Sequence, residues 1–181
     1  MKRILGVACI IMVLLGMATS PATAQTADET VLRVLDDYTS FTRDEPMRVG
    51  ESALFSLSGC TVIMTYKEVI SGKNAAQMVS KANRFNTKPG KGEQYYIAHF
   101  DISISGGDRN KSVSFSKFNF DVVSKAGKMD SRTTSVAGLD DSLKLFHDAS
   151  GDIYVPALAN DKEAPYLLFK DEIWIDLSAL K

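Results

Sequence analysis

The chain reads as an all-β protein, an antiparallel β-sandwich with one inserted short helix, and three observations predict it. Glu93–Ser105 alternates cleanly: Tyr96, Ala98, Phe100, Ile102 and Ile104 share one side, while Tyr95, Ile97, His99, Asp101 and Ser103 share the other. A strand with one side on a core has this pattern. Eight or nine short apolar runs recur between turn signals, and no strand–helix–strand alternation interrupts them. Only one stretch, 75–84, has convincing helical spacing.

Residues 1–24 read as a secretory signal peptide. Lys2 and Arg3 give a basic start, Ile4 to Ala18 an apolar run, and Ala22-Thr23-Ala24 a small-residue cleavage site. A spanning helix wants about 20 apolar residues; this run is shorter and ends in Thr19, Ser20 and Pro21. Cleavage after Ala24 predicts a secreted, extracellular protein that meets the membrane only through its signal. A retained amino-terminal anchor is the competing reading. The remaining length suits one domain.

Formal net charge is −1, and the signal removes two bases and no acid. That balance argues against nucleic acid or an anionic membrane as partner. Removing Cys9 with the signal leaves Cys60 alone, so no intramolecular disulfide forms. Cys60 shares a strand face with Val62 and Met64 and reads as a small buried hydrophobe.

Residues 25–46 form a leader. Val31, Leu32, Leu35 and Tyr38 fall at helical spacing behind Asp28 as a cap; a helix this short is marginal alone, so disorder is the alternative. The domain spans 47–181. Ala53, Phe55 and Leu57, a Ser58-Gly59 turn, and Cys60 to Ile70 predict a hairpin. Asn74 is the expected N-cap of helix 75–84, whose apolar side is Ala75, Met78, Val79 and Ala82. Lys88-Pro89-Gly90-Lys91-Gly92 is a loop, and Ser105-Gly106-Gly107-Asp108 a hairpin tip.

Val113 and Phe115 then have one parity and Phe118, Phe120 and Val122 the other. A bulge or break at Ser116-Lys117 would keep all five inward. Thr133 to Val136 is a short edge strand. Leu143, Leu145 and His147 start a strand that returns through Ile153, Val155 and Ala157, where Pro156 argues for a sheet edge. Tyr166 to Phe169 and Ile173 to Leu177 make the last hairpin.

One ordered set of motifs resembles a known family. Ala75-Ala76-Gln77-Met78-Val79 is followed by Ala82-Asn83-Arg84-Phe85-Asn86, Pro89-Gly90, then Gly92-Glu93-Gln94-Tyr95-Tyr96. Phe118-Asn119-Phe120 with Gly127, Pro165-Tyr166-Leu167-Leu168-Phe169 and Ile173-Trp174-Ile175-Asp176-Leu177 complete it. This order is similar to the uncharacterised immunoglobulin-like domain of secreted proteins and lipoproteins from Gram-positive bacteria, akin in fold to the small secreted immunogenic antigen of mycobacteria. Lipid-anchored members carry cysteine at the cleavage site; Gln25 stands here, as in the freely secreted kind. The resemblance implies an immunoglobulin-like sandwich and brings no catalytic residues with it.

The chemistry-bearing residues form no catalytic, cofactor or metal motif. His99 and His147 are fewer than the three or four ligands of a zinc site. Asp140, Asp141, Asp148 and Asp152 lack the alternate spacing of a calcium loop. Pairing Cys60 with His99 has no spacing support. Tyr95, Ile97 and His99, on the side of their strand away from the core, are candidates for an interaction surface, as is Trp174. The competing reading buries the first group under helix 75–84 and Trp174 under the leader. The leading expectation is a non-enzymatic module contacting a protein or cell-envelope component. The alternatives are a small-ligand or carbohydrate binder or hydrolase using surface acids and aromatics, and a structural spacer.

Overall fold

The computed structural model describes residues 32–33, 41–130 and 136–178. The predicted signal peptide, most of the leader and residues 133–135 of the predicted edge strand lie outside them. None of the described helices is long and apolar enough to cross a membrane.

Turn chemistry sets the first hairpin. Ser58 and Gly59 both take positive φ, 54° and 80°, the type I′ geometry whose twist matches the flanking strands. Leu57 therefore faces Cys60, joining β2 (Ser52–Leu57) to β3 (Cys60–Ser71). Helix α1 (Gly72–Ala82) follows, then β4 (Glu93–Ser105). The leader contributes β1 (Leu32–Arg33), parallel to β2. With β9 (Ser150–Asn160) these make a five-stranded sheet in the order β1-β2-β3-β4-β9.

A second sheet runs β11-β10-β6-β7, built from β6 (Phe120–Val123), β7 (Met129–Asp130), β10 (Tyr166–Phe169) and β11 (Ile173–Asp176). A separate ribbon pairs β5 (Val113–Ser116) with β8 (Ser142–Leu145). Apart from β1 on β2, every strand pairing within these sheets is antiparallel.

Both large sheets feed one apolar core. Met64, Phe100 and Ile153 come from the first sheet, Phe120, Phe169 and Ile175 from the second, and all are buried. Phe100 and Phe120 stack across the gap at 5.5 Å, and Phe120 meets Phe169 at 4.9 Å. Such pairs add about 0.5–1.5 kcal/mol to the burial itself. The Tyr66 hydroxyl crosses the same gap and donates to the Asp176 carbonyl at 3.1 Å, so the buried phenol is satisfied. Burial, reinforced by the Asp176 charge, pushes its pKa well up.

The alternation of Glu93–Ser105, both hairpins and the edge position of Pro156 in β9 appear as expected. Several expectations are corrected. At Ser116-Lys117 the chain forms a 3-10 turn, Lys117–Asn119, and changes sheets, so it does not bulge along one strand. Val113, Phe115, Phe120 and Val122 are buried, while Phe118 on the turn is 78% exposed. The bulge lies instead between Tyr66 and Glu68.

Second, α1 begins at Gly72 behind Ser71, because Ser71 ends β3 in extended geometry; Asn74 lies inside the helix. Third, Ser105-Gly106-Gly107-Asp108 is no hairpin tip. It carries the chain from β4 to β5, which pairs with β8. Gly107, at φ +79°, lies so close to Cys60 that a Cβ there would stand 2.5 Å from Sγ. Fourth, Leu32–Arg33 pairs as a strand, against the helical spacing of the leader. The packed unit also begins before residue 47, since Phe41 is wholly buried in the common core.

Candidate functional site

The outer side of β4 carries most of the candidate residues, and α1 decides their fate. Ala75 and Val79 recur four apart on one helix face. They pack over Tyr95 and Ile97, with Leu158 of β9 and Val136 closing a second, smaller apolar cluster. Tyr95 is 1% exposed and Ile97 0%. Of the two readings of these residues, burial under the helix therefore holds, and neither side chain lies on the open sheet face. Hydrophobicity alone did not separate the two, because a covered and a contacting patch have the same composition.

A cleft of about 280 Å³ opens where α1 meets the loop behind it. Ala76, Val79 and Tyr95 line its apolar side, and Asn86, Thr87 and Pro89 its loop side. Side-chain bonds hold that loop in place. The Tyr95 hydroxyl donates to the Thr87 carbonyl, and burial pushes its pKa up. Asn86 Nδ2 donates to the carbonyls of Val79 (3.0 Å) and Ala137 (3.1 Å), while its Oδ1 accepts from Ala137 N–H (2.8 Å). No single motif signals this cleft, although all of its walls come from residues 76–95.

His99 sits beyond the helix, and its side chain is 15% exposed. Nδ1 lies 3.3 Å from Glu68 Oε1 and Nε2 2.8 Å from Asp152 Oδ1, while the ring stacks on Tyr154 at 4.3 Å. The Glu68 contact exists because the bulge in β3 brings Glu68 opposite His99. Tyr154 has its pKa raised by burial first, then by the carboxylates of Asp152, Glu68 and Asp140. Both ring nitrogens face carboxylates. Among the described residues neither nitrogen faces a hydroxyl or thiol. The arrangement is a cross-strand clamp.

Trp174 is half-buried on the outer face of the second sheet. Its backbone N–H donates to the Phe41 carbonyl at 3.0 Å, and Met47 N–H donates to the Trp174 carbonyl at 2.8 Å. The Arg43 guanidinium lies 5.9 Å from its ring, and Tyr166 meets it edge-on at 5.7 Å. Residues 41–47 thus bind the β11 edge through the backbone and cover part of the indole.

The remaining candidates are held structurally. Lys117, 5% exposed, pairs with Asp141 at 2.5 Å. His147 Nδ1 donates to the Gly106 carbonyl (2.7 Å), and its Nε2 lies 2.8 Å from Asp148 Oδ2. Cys60 is buried and unpaired. His99 and His147 belong to separate networks, and among the described residues no group of three or more His, Cys, Asp or Glu side chains is arranged to hold a metal. Comparison with known proteins gives no match among family models, curated proteins or solved structures.

Proposed function

We propose that this protein is a secreted, non-enzymatic immunoglobulin-like domain that binds a protein or cell-envelope component through the open half of its larger sheet. One observation carries the reading. Helix α1 covers only the end of the outer face that holds Tyr95 and Ile97. Past His99, Leu54 pairs with Ile63 and Ile63 with Ser103, flanked by Thr65 and Asp101, and these five side chains are half-buried. A half-exposed mix of apolar and polar groups on a sheet face suits a protein contact. The basic, apolar and small-residue pattern of residues 1–24 supports export. Two sheets on one core, with the ordered motifs named above, support the immunoglobulin-like assignment.

The test is co-sedimentation of the purified protein with isolated envelopes from the producing cell. Saturable binding is expected, weakened about tenfold or more by Leu54→Lys with Ile63→Lys, whose side chains leave the common core untouched. Equal binding by that variant removes the open face as the site. Turnover of an envelope glycan or peptide that disappears in His99→Ala would replace the reading with the hydrolase alternative.

A further inference from the structure

We infer that the cleft between α1 and the 83–89 loop binds a small organic anion with an apolar body, such as a short acyl or aryl carboxylate. This goes beyond the sheet-face reading and uses none of its residues. The first support is shape. The cleft of about 280 Å³ corresponds to about nine water-sized groups, and its floor is the buried ring of Tyr95 with Val79 and Ala76.

Charge is the second support. Arg84 and Lys88 line the cleft, and no carboxylate does. Residues 72–92 contain Lys73, Lys81, Arg84, Lys88 and Lys91 and not one Asp or Glu, in a chain whose formal net charge is −1. Neither Arg84 nor Lys88 forms an ion pair with another described residue; the Arg84 guanidinium lies 4.7 Å from the Phe85 ring, which is 80% exposed. The whole-chain balance that argued against anionic partners hides this local excess.

Preorganisation is the third. Tyr95 bonds the loop to β4, Asn86 bonds it to the helix and to Ala137, and Asn83 Oδ1 accepts from Phe85 N–H within it, so little ordering is left for the ligand to impose. A helix C-terminus repels anions, and this decides the pose. The Val79 carbonyl, which accepts from Asn83 N–H and Asn86 Nδ2, stays at the floor with the apolar body. The anionic head lies outward, between Arg84 and Lys88.

Octanoate is the probe, with octanamide as its uncharged counterpart, titrated into the purified protein by calorimetry and by amide NMR shifts. Saturable octanoate binding is expected, with octanamide about tenfold weaker or worse and shifts confined to residues 76–89 and Tyr95. Arg84→Gln with Lys88→Gln is expected to weaken octanoate about tenfold, and Ala76→Leu to fill the cleft and abolish binding. Should a variant unfold, the shift map and the octanoate-to-octanamide ratio of the unmodified protein decide. Equal affinity for the two probes, shifts elsewhere, or no saturation overturns the inference. So does binding only to phosphatidylglycerol vesicles that survives Ala76→Leu, which would make the basic segment a membrane contact.

Discussion

At Asp176 two opposing effects act on one carboxyl group. Burial pulls its pKa up, but the 2.8 Å bond from Lys125 and two donors from Ser178 pull it down harder, leaving it below the ordinary carboxylate value. A carboxylate whose folded pKa is depressed stabilises the native state above its unfolded pKa and loses that contribution as pH falls through the folded one. Lys125 also lies 3.4 Å from the Tyr166 ring centre, and Asp176 supplies the carbonyl that Tyr66 bonds. Lys125→Met should therefore cost about 1.5–3 kcal/mol at pH 7 and much less at pH 2, read from urea melts at the two values. An undiminished cost in acid would show that Lys125 acts through packing alone. None of this was legible in the sequence, where Lys125 and Asp176 stand 51 residues apart.

Element by element, legibility followed periodicity. β4 and both hairpins were readable because a period of two and a turn signal agree there. Residues 113–123 were not, since parity reverses and a bulge explains that as well as a change of sheet does. The 3-10 turn resolves it. Lys117 turns in to meet Asp141, Asn119 accepts the Ser116 N–H at 2.8 Å, and Phe118 is left in solvent. Phe118→Ser is accordingly expected to change stability by no more than about 0.5 kcal/mol. Phe120→Ala, two residues on, should cost about 3–5 kcal/mol. Thermal unfolding of the two variants checks both, and a large loss in the first would restore the inward Phe118. At α1 the apolar face was visible, but the start was not: the end of β3, rather than the helix's own capping chemistry, sets it.

Over the whole molecule, the paired faces of β4 organise everything else. Phe100 and Ile102 look into the core shared by the two sheets, while Tyr95 and Ile97 look into the layer under α1. Among the described residues, that second layer covers one half of the outer face, leaves the other half uncovered, and creates the cleft at the helix end. Alternation revealed the first layer; the second depends on where a helix inserted between neighbouring strands folds back, a tertiary fact with no local signature. The two proposed binding surfaces both rest on this one arrangement, so it is the claim to test. Methyl and aromatic NOE spectroscopy of the labelled protein does so directly. The arrangement predicts contacts of Ile97 methyls with Ala75 and Val79, together with contacts between the Phe100 and Phe120 rings. Ile97 methyls in contact with water and with no residue of α1 would contradict it.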